Sequence, residues 1–116
     1  MLEKPAFIQG LFEFDGRGLD KPVSFQSPAT YSVSSDKRAQ TIYFRAGNAS
    51  AEMIYMVLTR AGKAMRYFPV GAKSSVHVPL AVLEDLPPGS VMEVLVAAPS
   101  GTKSSVVLDV GFMEIT

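Results

Sequence analysis

Apolar and polar residues alternate with a period of two along most of this chain. In 40–46, Ile42 and Phe44 fall on one side while Thr41, Tyr43 and Arg45 fall on the other. In 74–80, Val76, Val78 and Leu80 alternate with Ser75, His77 and Pro79. In 91–97, Met92, Val94 and Val96 alternate with Glu93, Leu95 and Ala97, and in 105–109 Val106 and Leu108 oppose Val107 and Asp109. This spacing predicts half-buried strands, because successive strand side chains point to opposite faces. Further strands are expected over 7–14, 23–26, 30–34, 53–59 and 64–69. The stretch 53–58, Met-Ile-Tyr-Met-Val-Leu, is apolar on both faces, which marks a central strand or one covered by a partner.

Turn chemistry separates these segments at short intervals: Asp15-Gly16-Arg17-Gly18, Ser27-Pro28, Ser35-Asp36, Ala46-Gly47-Asn48, Val70-Gly71, Pro87-Pro88-Gly89 and Pro99-Ser100-Gly101. Arg60-Ala61-Gly62-Lys63 reads as a hairpin, with Gly62 supplying a positive φ. Only 80–86 leans towards helix, for one or two turns before the proline pair. After Val106, Leu108, Val110 and Phe112, the alternation slips at Ile115, and Gly111 is read as a bulge that re-aims the last residues. Eight or nine short strands without crossover helices predict an all-β fold, an antiparallel β-sandwich or jelly roll, as a single domain over 1–116.

Composition supports a packed core: 47% of the 116 residues are hydrophobic, with no repeat or low-complexity segment. Cysteine is absent, which removes disulfide and thiol chemistry. The start lacks a basic stretch followed by an apolar one, and no apolar run is long enough for a bilayer. A cytoplasmic protein without membrane insertion is expected, although an excised secreted domain with an added Met would read the same. Net charge is zero but segregated. Residues 36–73 carry seven cations against Asp36 and Glu52, and 74–116 carry Lys103 against Glu84, Asp85, Glu93, Asp109 and Glu114. That is either scatter over solvated faces or a basic patch for an anionic ligand or for another copy's acidic patch.

The chemistry inventory argues against an enzyme. His77 is the only histidine and lies opposite Val76 and Val78, so it reads as a surface residue. No serine sits in a Gly-x-Ser-x-Gly elbow, and one histidine without cysteine cannot build a zinc site. Gly101-Thr102-Lys103-Ser104 lacks the spacing of a phosphate loop, and Gly16-x-Gly18 lacks the third glycine of a dinucleotide loop. Asp15 and Asp20 bracket a glycine-rich turn of the kind that can hold calcium. Asn48-Ala49-Ser50 matches a glycosylation sequon but reads as a turn. Tyr43 and Arg45, with Arg60, Arg66 and Tyr67 near in sequence, could stack bases and hold phosphates. A neutral chain lacks the basic excess that drives nucleic-acid binding, so that partner is not expected.

The segment 31–57, with Ile42-Tyr43-Phe44-Arg45-Ala46-Gly47-Asn48 at its centre, resembles the middle of galactose-binding-like jelly-roll carbohydrate-binding modules. Val107-Leu108-Asp109-Val110 followed by Met113-Glu114-Ile115 is similar to their closing strand. The resemblance implies a structural calcium held by Glu13, Asp15 and Asp109. Those modules usually stack sugars on Trp or exposed Tyr, and this chain has no Trp. A weaker resemblance, of Asp85-Leu86-Pro87-Pro88-Gly89-Ser90 and Met92-x-Val94-x-Val96, is to fibronectin type III domains.

Two functional expectations follow. The first is a non-catalytic structural or assembly protein, a homo-oligomer or one docked on another protein. Its basis is the two-sided strand, six Met residues and the charge blocks. The alternative is a small carbohydrate- or glycan-binding module with Tyr43, Tyr55 and Tyr67 as platforms and Arg45 and Arg66 beside them.

Overall fold

The structure, a computed structural model, describes residues 3–80 and 85–116. Its strands are β1 (Glu3–Asp15), β2 (Val23–Ser32), β3 (Arg38–Asn48), β4 (Ile54–Arg60), β5 (Lys63–Val70), β6 (Ser75–Pro79), β7 (Asp85–Leu86), β8 (Val91–Ala97) and β9 (Lys103–Ile115). They form two antiparallel sheets, β1-β9-β3-β6 with β7 also on β3, and β2-β8-β4-β5. The expected all-β sandwich is borne out: β1 to β4 alternate between the two sheets and β8 and β9 again cross between them, in the jelly-roll manner, while β4 and β5 form a hairpin within one sheet. No helix among the described residues is long and apolar enough to cross a membrane.

The inward faces interdigitate in one core built on Phe14, Phe25, Phe44, Phe112, Ile54 and Met56, among others. Phe44 of one sheet stacks on Phe68 of the other with ring centroids 3.9 Å apart and planes 2° from parallel. The two-sided apolar stretch is explained by β4, which lies between β8 and β5. Ile54, Met56 and Leu58 enter the core, and Val57 is buried on the opposite face between its register partners Tyr67 and Leu95. Val57 is thus covered by its own sheet.

Four local expectations are corrected. Ser27-Pro28 is no turn: the strands expected over 23–26 and 30–34 are one strand, β2, whose register on β8 jumps between Ser24 and Ala29. A proline is tolerated there because β2 is an edge strand and the bulge needs no ladder N–H. Ile42 and Phe44 do not share a face. The register on β9 skips Ile42 between Thr41 and Tyr43, so Ile42 is the extra residue of a bulge and the parity of β3 changes. Gly111 lies on the unbulged strand opposite, and its bare backbone accepts the Tyr43 ring: a Cβ built there would come within 2.2 Å of that ring. Finally, Asp85-Leu86 at the end of the helix-leaning stretch is a strand on β3, whose partners are Gln40 and Ala39. The part of that stretch over 81–84 lies outside the described residues. The Ala61-Gly62 hairpin holds as expected, with φ of 50° and 79° at its two central residues.

Candidate interaction face

The outward face of β1-β9-β3-β6 can be read row by row from the register. One row is Phe7, Gly111, Tyr43 and Pro79; the next is Gln9, Asp109, Arg45 and His77; the third is Leu11, Val107, Gly47 and Ser75. The middle row is polar and wired together. Asp109 Oδ1 accepts from the Tyr43 hydroxyl at 2.7 Å and from Gln9 Nε2 at 3.0 Å. The Arg45 guanidinium sits 3.7 Å from Asp109 Oδ2 and 4.9 Å from the Tyr43 ring centroid, a cation–π distance. His77 meets the same ring edge-on at 6.2 Å.

Burial is the largest single influence on Asp109 and pushes its pKa up. The hydrogen bonds from Tyr43 and Gln9, with the Arg45 and His77 charges, outweigh it and hold the carboxyl below its usual value. Tyr43 is pushed up, by burial first and then by its bond to Asp109. On either side of this row the face is apolar: Leu11 is 66% exposed, Val107 58%, and Phe7 is exposed as well. Gly47, without a side chain, leaves a shallow depression bounded by Val107, Arg45, Asp109, His77 and Ser75.

The sequence-expected site residues do not converge. Tyr43 and Arg45 are on this face, with the Tyr43 ring packed on Gly111 and approached by the Arg45 guanidinium. Tyr55 and Tyr67 lie on the outer face of the other sheet, 5.8 Å apart, with Tyr67 62% exposed and the Tyr55 hydroxyl donating to Leu19 O at 2.6 Å. Arg66 is register partner to the core-facing Leu58 and so leaves that face; its Nη1 donates to Met65 O at 3.0 Å. Glu13 opposes Ser105, Asp15 opposes Lys103 and pairs with Arg17 at 3.7 Å, and Asp109 opposes Gln9. Four residues of strand separate Glu13 from Asp109, about 13 Å. The three acids are therefore not one ligand set, and no metal-holding cluster occurs among the described residues.

The charge blocks are partly reconciled within the chain. Arg38 bonds Asp85 at 2.9 Å and Arg45 approaches Asp109, so basic middle and acidic end meet as neighbouring strands. Asn48 is buried, and its amide nitrogen donates to Glu52 O at 2.8 Å and Gly71 O at 3.0 Å. In the folded chain it is a staple, not an exposed sequon.

One residue escaped the sequence reading. The alternation of β9 does not slip: after Phe112 the next inward side chain is Glu114, only 3% exposed. Its carboxylate accepts from the Tyr31 hydroxyl, from Ser34 Oγ at 2.8 Å and from Ser34 N at 3.3 Å. The Tyr31 bond is the largest influence on Glu114 and, with Ser34 and the Lys4 charge, outweighs burial to lower its pKa. Tyr31 is raised by burial and by that same bond. Because folded Glu114 releases its proton more readily than unfolded Glu114, the stabilisation is present above the usual value of 4.5. It is lost as pH falls through the folded pKa. Acid urea titrations should show the unfolding midpoint dropping below about pH 4.5. Glu114→Gln should flatten that slope, leaving the part contributed by Asp109.

No protein-family model matches the chain, and no curated protein matches it. Among solved structures, it superposes on the structure of infectious bursal disease virus, Gx strain, with a TM-score of 0.54 at 8% identity, over 97% of this chain and 31% of that one. The exo-β-1,3-galactanase of Phanerochaete chrysosporium, solved with galactose, matches at a TM-score of 0.43 and 11% identity, over 99% of this chain and 30% of that one. The chain thus spans about a third of the length of both. At such identity the first likeness speaks for the fold alone, and the second superposition is too loose to carry an argument. The topology and the first superposition agree on the fold alone: an antiparallel β-sandwich of the jelly-roll kind.

Proposed function

We propose that this protein is a non-catalytic structural module that self-associates through the outer face of β1-β9-β3-β6. The observation behind this reading is the pair Leu11 and Val107, register partners that project from the sheet at 66% and 58% exposure. Phe7 lies on the same face, and the polar row between is already hydrogen-bonded within the chain. Apolar surface gains from leaving water, and polar groups that enter an interface with partners in place avoid most of the cost of desolvation. Sedimentation velocity across concentration and salt tests this. The expected mass exceeds the 12.5 kDa of one chain and returns to it in Leu11→Lys and Val107→Lys, with the melting temperature little changed. A single-chain mass for the unmodified protein under every condition would refute self-association.

A glycan-binding reading is favoured by a different observation, the exposed Tyr67 ring beside Tyr55 on the opposite sheet. It moves the platform away from Tyr43, whose ring packs on Gly111 and Arg45 and whose hydroxyl is bonded to Asp109. A glycan array with Tyr67→Ala as control distinguishes it.

A further inference from the structure

Resting on the self-association reading, we infer that the partner is a second copy placed face to face across a two-fold axis parallel to the strands, between β9 and β3. The order of the strands makes this face self-complementary. Such an axis reverses the order β1-β9-β3-β6 while keeping each row level, so β9 of one copy lies over β3 of the other and β1 lies over β6.

In the polar row, Asp109 then faces Arg45 of the second copy and Arg45 faces its Asp109, while Gln9 faces His77. The in-chain Arg45–Asp109 approach of 3.7 Å is longer than a hydrogen bond, and the Arg45 side chain is 52% exposed, so guanidinium donors remain for a second carboxylate. In the next row, the projecting Val107 meets the depression over Gly47 of the second copy, and the reciprocal contact repeats it. A two-fold axis across the strands would instead set Asp109 on Asp109 and Arg45 on Arg45. The charge pattern therefore selects the axis along the strands.

The available area is sufficient. β1, β9, β3 and β6, with 13, 13, 11 and 5 residues, at about 3.3 Å per residue and about 4.8 Å apart, offer roughly 670 Å². A specific interface takes about 600–1,000 Å² from each partner, so this face lies within that range. Facing sheets cross at about 30°, so the fit concentrates in the three central rows, where these contacts lie.

The test is a charge exchange. Arg45→Asp and Asp109→Arg each place like charges across the axis, and each alone is expected to sediment as a single chain. Mixed together they restore opposite charges and should form a heterodimer. A second variant is independent of charge. A Cβ at Gly47 meets nothing nearer than Val107 Cβ at 3.9 Å, so Gly47→Ile fits the fold but fills the depression. It should weaken dimerisation about tenfold or more, because the blocked pocket is central. Circular dichroism melts confirm that the variants are folded. If the unmodified protein associates while Gly47→Ile and each charge variant alone associate as strongly as it does, the two-fold arrangement is overturned and self-association stands. If the unmodified protein is a single chain throughout, both fall.

Discussion

Phe44→Ala should cost about 3–5 kcal/mol of folding stability, the range for truncating a fully buried Phe. Phe44 is completely buried, and its ring lies flat on Phe68, 3.9 Å away, so the same side chain ties the two sheets together. The loss has two parts, the transfer of the ring from water and the void left where rigid sheets cannot close in. Phe44→Leu keeps most of the volume and should cost less than half as much. Equilibrium urea unfolding measures both. A Phe44→Ala midpoint close to that of the unmodified protein, at constant m, would mean that the core does not pack as described. Against a typical domain stability of about 5–15 kcal/mol, such a loss leaves little margin.

Asn48→Ala should cost about 3 kcal/mol or more, a large effect for one polar side chain. The Asn48 amide nitrogen donates to Glu52 O and Gly71 O, while its oxygen accepts from Ser50 N at 2.9 Å and Ser50 Oγ at 2.8 Å. It joins the end of β3 in one sheet to the segments that enter β4 and leave β5 in the other. Alanine leaves several buried groups without partners, at about 1–3 kcal/mol for each that water cannot reach. Asn48→Asp is the sharper probe. It keeps the acceptor for Ser50 but turns a carboxylate towards two carbonyl oxygens, so it should be at least as damaging as alanine at neutral pH and less so in acid. If Asn48→Asp proved harmless at pH 7, the bonds from the amide nitrogen would not be holding these segments.

Most of the architecture could be read from alternation. Met92, Val94 and Val96, or Val106 and Leu108, enter the core as their spacing requires, because a one-residue slip would put all of them in water. Reading failed where a bulge resets parity, at Ile42 and within β2. Neither carries the glycine that would announce it: at the first, the glycine is Gly111 on the opposite strand, under the Tyr43 ring. Glu114 was hidden for a similar reason. An inward acid breaks the pattern unless its partners are known, and Tyr31 and Ser34 lie about 80 residues away. The interaction face was half legible. Tyr43 and Arg45 were found by alternation, but Asp109 was assigned to a metal and His77 to bare surface, because their joining depends on β9 and β6 flanking β3.

The place of the last strands has a consequence for how the chain comes to be folded. β9 lies between β1 and β3, and β8 between β2 and β4, so each sheet has its late-made strand in the middle and its early ones outside. As the chain leaves the ribosome, only the β4–β5 hairpin and then the β3–β6 pair can form early, while β1 and β2 have no native neighbour until β8 and β9 are made. Closure waits for β9, and most pairings span long stretches of sequence, the arrangement that makes folding slow. Until then the alternating strands of the first half stand with open edges, exposed to other chains in the same condition.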